Sequence, residues 1–424
     1  MTSPPVTPSA ELFPAPEDWR FIDTEAPCEW GEDYRPGGLH PVELGDTFVD
    51  GKYRVIRKLG DGSYSTVWLV VNSGSPKYVA LKIISAKAST TGTELGILHH
   101  LSKMAQDDPN ARHLVSFLHN FQCEGPNGKH QCLVFEPMGV SAASLMEELP
   151  GSRSKKLDKP QRYPMWMAKR ILLHGLRGLD FLHKNGVVHG DFQPGNLLFS
   201  LRSLESASEE EMRQVNDGTS VPLHRIDGKK DLWAPNKLFM KQTLKDHVIL
   251  DAELCVKLSD LGAAFWQIDP PHRTVGTFGL RAPEVILNQG TFGPAIDIWS
   301  FGCLIYEFLT GKPLFADKDS EDEEEADDEL LMQLNDIIGP LPDNLMAAWP
   351  RAGKWYTPDS RRILPRGKDS IHDYLELLFE KNKPSSIDEE ESKVICELIR
   401  QIMDYDPEKR PSAEDLLNHP WILS

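Results

Sequence analysis

The sequence predicts an α+β fold, with a smaller β-rich part followed by a larger helical part. Two observations carry this. Between Tyr53 and Glu136 the apolar residues come in short runs broken by Gly, Pro and Asn, the pattern of strands and hairpins. Beyond residue 164 the apolar runs lengthen and take a helical period, over 165–184 and 294–310. A chain of 424 residues can build two or three compact domains or one two-lobed fold.

Composition narrows the class. Sixty-four acidic residues against 46 basic ones give a net charge of -18. So acidic a chain argues against direct nucleic-acid binding and favours a basic partner. Six cysteines are scattered without a CxxC, as expected for reduced thiols inside a cell. No apolar run approaches the ~18 residues of a membrane span, and the N-terminus lacks the layout of a secretory signal.

Taken in order, residues 1 to about 18 are rich in Pro, Ser and Thr, and a disordered tail is expected over 1–32. Residues 34–42 carry turn residues without a period and should lie extended against the domain. A hairpin follows, with Tyr53, Val55 and Leu59 leading into Gly60-Asp61-Gly62-Ser63-Tyr64-Ser65 and Val67 resuming the strand. Glycines there let backbone approach a phosphate, and an ordinary hairpin turn reads the same way. Lys82, inside the apolar run Val79-Ala80-Leu81-Lys82-Ile83-Ile84, is either paired to a ligand phosphate and an acid or snorkelling from an edge. Glu94 is the candidate acid, with a capping box on Thr91 as the alternative. Two strands around Asn127-Gly128 end in Phe135-Glu136-Pro137-Met138.

The chemistry concentrates in His189-Gly190-Asp191-Phe192-Gln193-Pro194-Gly195-Asn196. An Asp and an Asn five residues apart can orient a hydroxyl nucleophile and ligate a Mg2+ that holds nucleotide phosphates. Asp260-Leu261-Gly262 follows an apolar strand and suits a metal-binding Asp, and Arg281-Ala282-Pro283-Glu284 comes after it. The intervening 201–247 reads as an insert, partly disordered. Asp297, near the start of the 294–310 helix, could brace the 189–196 loop or merely favour a helix N-terminus. Residues 317–329 hold ten acids and one Lys, either a solvated mobile loop or a docking surface for a basic substrate. Arg410 is the candidate buried partner of Glu284.

These motifs, in this order over roughly residues 50–424, resemble a eukaryotic protein kinase, and more closely the SR-protein kinases of the CMGC group in their divergent fungal-type branch. The resemblance is carried by residues 33–46, by Ser65-Thr66-Val67-Trp68-Leu69, by Asp260-Leu261-Gly262 and by Arg281. It implies a bilobal fold, with the N-lobe over 33–136 and the C-lobe over 137–424, and inserts at 201–247 and 317–329. It implies a Ser/Thr kinase using ATP and Mg2+ on Arg/Ser-rich proteins, monomeric, in the cytoplasm, the nucleus or both.

By the same resemblance Asp191 is the catalytic base, Asn196 and Asp260 hold the metal, and Lys82 with Glu94 positions ATP. Gln193 lies beside the transferring group, and Thr277 meets the catalytic loop. The nucleotide is implied to bind along Leu59 to Ser65, with Val67 and Ala80. Phe135, Glu136, Met138 and Leu198 complete that set. Two departures matter. Gly190 replaces the usual Arg, which implies activity without loop phosphorylation. Gln193 replaces a Lys, and the lost charge should cost roughly 10- to 1000-fold in rate. A pseudokinase scaffold and a small-molecule kinase are the rival readings.

Overall fold

The computed structural model describes residues 7–8, 14–148, 161–215, 218–272, 274–288, 290, 292–316, 320, 322–359, 361–363 and 374–423. The chain forms two compact units. The first comprises Met1–Leu95, Val115–Val140 and Phe199–Glu253, the second Gly96–Leu114, Ser141–Leu198 and Leu254–Ser424.

The first unit is built on a six-stranded antiparallel sheet. Its strands are β1 (Thr47–Phe48), β2 (Tyr53–Gly62), β3 (Ser65–Asn72), β4 (Tyr78–Ile84), β5 (Phe117–Gly125) and β6 (Gly128–Phe135), in the order β1-β2-β3-β4-β6-β5. Val55, Trp68, Val70, Leu81, Ile83 and Val134 form a buried cluster with Phe239. Ile56, Leu69 and Tyr78 pack against Leu204, Met212 and Leu244.

Those partners come from a segment expected to be partly disordered. Residues 199–253, apart from 216–217, instead line this unit with a strand pair, Ser220–Pro222 and Lys237–Phe239, and one turn of helix at Glu209–Met212. Arg57 and Lys58 explain the anchoring. Consecutive strand residues face opposite sides of a sheet, yet both are buried. Arg57 donates to the carbonyls of Thr243, Glu211 and Arg213. A buried cation must satisfy its donors, so both sheet faces need cover.

The expected tail is corrected as well. Residues 19–32 are held down: Arg20 pairs with Glu32 at 2.8 Å and Asp231 at 3.2 Å, and Phe21 bridges Arg225 antiparallel. Its Pro- and Ser-rich part over 1–6 and 9–13 lies outside the described residues. Tyr34, Leu39 and Val42 are buried, as an extended segment lying on the domain requires.

The second unit is helical. Besides the end of α1 (Glu94–Met104) it contains α2 (Met165–Lys184), α3 (Ala295–Thr310), α4 (Glu323–Ile337) and α5 (Glu389–Ile402). α3 is buried nearly all round and stops at Gly311, whose φ of 74° suits a glycine. The acidic run is not a loop where it is described. Asp322 caps α4 by accepting from Glu325 N, and Glu323, Glu324 and Glu325 fill the first turn, where the helix dipole favours anions. Asp328 is buried and accepts from Trp349, Trp355 and Arg351 at 2.7–2.8 Å. Residues 317–319 and 321 of that run lie outside the described residues. Arg410 meets Glu284 through two bonds of 2.7 and 2.8 Å and lies over the Trp299 ring.

Burial pushes three histidines down: His40 and His113 to about 4 and His174 to about 3, with nearby cations adding to the last two. Each binds its proton more weakly folded than unfolded, so stability is full above the unfolded value near 6.5 and falls as pH drops from there towards 4. Thermal unfolding between pH 7.5 and 4.5 should show a steadily falling midpoint. Replacing His40 by Gln should flatten part of that slope.

Candidate active site

In the first unit, register sets the geometry. Lys82 on β4 lies opposite Val67 on β3 and Leu133 on β6, with Ala80 opposite Leu69 and Phe135. Lys82 Nζ meets Glu94 Oε1 at 2.7 Å, and both side chains are about nine-tenths buried. A buried ammonium needs such a partner. The capping alternative for Glu94 does not hold. Thr91 closes a separate short helix, Ala86–Thr91, and its hydroxyl donates to Lys87.

The β2–β3 turn at Ser63 and Tyr64 is pinned where Ser85 N donates to Tyr64 O at 2.7 Å. A Cβ added to Gly60 or Gly62 would meet no protein atom within 4 Å. Protein packing therefore does not demand glycine at either place, and both positions leave open space beside the backbone. Beyond β6, Glu136 accepts from Ser116 N at 2.7 Å and Met138 is buried. Leu59, Asp61, Ser65 and Phe135 lie on the strands of this same sheet.

In the second unit, the 189–196 loop hangs from α3. Asp297, 1% exposed, accepts from His189 N at 2.8 Å, Gly190 N at 2.9 Å and His183 Nε2 at 2.9 Å. Of its two readings, bracing the loop is the one seen. His189 Nδ1 accepts from Asp191 N, which leaves Nε2–H to donate to Ser259 O at 3.0 Å. Gly190 has φ 77°, and a Cβ there would come within 2.7 Å of Ala263 O. A side chain at 190 thus needs the loop or the 261–263 turn to move.

The Asp191 carboxylate gathers four donors. Thr277 N and Oγ1 reach Oδ1 at 3.0 and 2.8 Å. Gln193 Nε2 and Asn196 Nδ2 reach Oδ2 at 2.7 and 3.3 Å. Asn196 spends its amide nitrogen here and on Asp191 O, which keeps its carbonyl oxygen for a ligand. Its backbone carbonyl accepts from Ser259 N and Oγ, both at 2.9 Å, next to Asp260. Asp260 adopts φ 59°, and its Oδ1 accepts from Gly262 N at 3.2 Å. One amide oxygen and one carboxylate form a hard-oxygen set that fits Mg2+. Leu198 belongs to this unit and is the middle residue of a short strand, Leu197–Phe199.

A second cluster, His113, His174 and Cys255, brings its ligand atoms within 4.8 Å of one another. It does not suit a cation. His113 Nδ1 is taken by Val256 O and Nε2 by Arg112, while His174 Nδ1 accepts from Val256 N.

The protein kinase domain model matches residues 53–207 and 232–422. The chain belongs to the protein kinase family. The gap between the matched stretches falls inside the segment that covers the sheet. Among curated relatives, a serine/threonine-protein kinase SRPK of Physarum polycephalum is 29% identical over 93% of this chain and 91% of its own length. A serine/threonine protein kinase of Aspergillus fumigatus is 29% identical over 100% and 96%. Human SRSF protein kinase 3 is 24% identical over 92% and 89%. A crystal structure of a kinase domain aligns with TM-score 0.61 at 24% identity, covering 90% of this kinase and 98% of that chain.

Sequence reasoning had no means to find His183 as the third donor to Asp297, because a His on an apolar helix carries no mark of its partner. Replacing Asp297 with Ala leaves two backbone N–H groups buried and unpaired, at about 1–3 kcal/mol each. The denaturant midpoint should fall by several kcal/mol's worth, and amide exchange at His189 and Gly190 should rise by at least tenfold.

Proposed function

We propose that this serine/threonine protein kinase, of the SR-protein kinase type, transfers the γ-phosphoryl group of Mg-ATP to serine in basic, Arg/Ser-rich proteins. The observation that carries the reading is the Asp191 carboxylate, held by four donors beside an Asn–Asp oxygen pair. Bound Mg-ATP supplies the phosphoryl group and neutralises part of its charge.

The chain's own residues do the rest. Lys82, aligned by Glu94, binds the α- and β-phosphates. Glycines 60 and 62 let the hairpin backbone lie close over them. Asn196 and Asp260 hold the metal. Asp191 orients the substrate hydroxyl and accepts its proton, and Thr277 and Gln193 fix which way the carboxylate faces. Gly190 carries no side chain to read a phosphorylated activation segment, so activity should not depend on that modification. The acidic charge of -18 and the exposed acids at the start of α4 favour an arginine-rich substrate.

The test is radiolabel transfer from ATP with Mg2+ to an Arg/Ser-repeat peptide, a generic basic protein and an aminoglycoside. Label should appear on the peptide and be lost at least 100-fold in Asp191→Ala, as removal of a general base does. Label on the aminoglycoside alone would identify a small-molecule kinase, and nucleotide binding without transfer a pseudokinase. Gln193→Lys should raise kcat by roughly 10- to 1000-fold.

The acids at the α4 start divide into partnered and free. Asp328 and Glu324 are spent on Arg351, whereas Glu323 and Glu325 are exposed, Glu325 accepting a neutral hydroxyl bond from Ser320 at 3.0 Å. Glu323→Gln with Glu325→Gln should raise KM for the peptide about threefold and flatten its salt dependence. An unchanged salt slope would remove this face from substrate binding.

A further inference from the structure

The first unit holds a buried cation that the site above does not use. Lys58 lies on β2, two residues before Gly60, and is fully buried. An ammonium has three N–H donors, and burial requires a partner for each. Three separate parts of the chain supply them. The Glu29 carboxylate comes from the N-terminal segment, the Phe239 carbonyl at 2.9 Å from the 199–253 segment, and the Asp61 carboxylate at 3.1 Å from the hairpin itself. Glu29 is in turn held through its other oxygen by the Tyr34 hydroxyl at 2.5 Å.

Asp61 is the informative partner. It stands between Gly60 and Gly62, where an acid over bound phosphates would repel them. The β2–β3 ladder is irregular between Lys58 and Gly60. Regular pairing resumes at Gly60–Val67 and runs to the turn. The bulge is therefore the place where the angle of the hairpin tip is set, and the Lys58–Asp61 bond spans it.

We propose that Glu29 and Lys58 are positioning residues for the nucleotide: the N-terminal segment, through Lys58, clamps Asp61, which fixes the hairpin tip and keeps that carboxylate off the phosphates. This rests on the assignment of the hairpin under "Proposed function". Linkage makes the effect reciprocal, so nucleotide favours the seated segment as much as the seated segment favours nucleotide.

The test uses the full chain and four proteins: wild type, Glu29→Gln, Tyr34→Phe, and Glu25→Gln as an exposed charge control in the same segment. Affinity for a fluorescent ATP analogue with Mg2+, KM for ATP against kcat, and amide exchange over residues 59–67 are measured. Glu29→Gln leaves Lys58 with Asp61 and Phe239, so the cluster keeps a charge partner. It should weaken the analogue and raise KM for ATP by roughly tenfold, within the usual range of coupling, with kcat within twofold and faster exchange at 59–67. Tyr34→Phe should move the same readouts in the same direction by less, and Glu25→Gln should move none.

A Glu29→Gln protein with a lower melting point but unchanged affinity and exchange would make the cluster merely structural and overturn the clamp. Should Glu29→Gln not fold, an unchanged Tyr34→Phe protein overturns it equally. If wild type binds no nucleotide, the functional reading fails separately, and exchange over 59–67 alone then decides the clamp.

Discussion

One buried carboxylate sets the geometry of the second unit. Asp297 is delivered by α3, a helix packed on every side, and accepts both backbone N–H groups that open the 189–196 loop. From there a chain of bonds runs on. His189 donates to Ser259 O, Ser259 donates to Asn196 O, and Asn196 donates to Asp191. Metal-ligand candidates and candidate base are thus fixed to one another through three short links, each ending on backbone or a short side chain. Gly190 is the steric counterpart of this arrangement. With φ 77° and Ala263 O so near, glycine is the residue the path accepts without rearrangement.

The first unit solves a different problem, that of two cations on one strand. Arg57 and Lys58 face opposite sides of the sheet and are both removed from water, so each side must bring acceptors. On one side these are carbonyls, which need no desolvated counter-charge. On the other they include two carboxylates, which is the costlier arrangement. A costly buried cluster that a single apolar residue could replace is weak evidence for stability. Its position beside Gly60-Asp61-Gly62 gives it another use.

What the sequence disclosed follows from where the information is local. Hairpin, lysine strand, Asp–Asn loop and Asp-Leu-Gly turn were each legible because their residue types are required within a few positions. Asp297 was legible as a candidate because it opens an apolar helix, and Glu284 and Arg410 because each stands in a short motif, Ala282-Pro283-Glu284 and Asp406-Pro407-Glu408-Lys409-Arg410. The order of residues 19–32 and 199–253 was not legible. Their composition is polar, and what orders them is long-range: Arg20 with Asp231, Arg54 with Glu209, Lys58 with Glu29. No window of residues holds both members of such a pair. The acidic run misled for a related reason. Glu323 to Glu325 read as a solvated mobile loop in isolation, whereas at a helix N-terminus behind an Asp cap the same charges are favourable.

Gln193 brings these threads together. Its amide donates to Asp191 Oδ2, so the side chain is already occupied in orienting the carboxylate. With Asn196 on the same oxygen and Thr277 twice on the other, the Asp191 carboxylate is held in place by four donors. A loose phosphoryl-transfer transition state leaves the protein chiefly positioning and charge stabilisation to supply, and this holding of the carboxylate serves the first. The cost of glutamine over lysine lies elsewhere, in a missing positive charge beside the equatorial oxygens. Under the proposed function that charge has to come from the other cations that meet the phosphates, Lys82 and the metal held by Asn196 and Asp260.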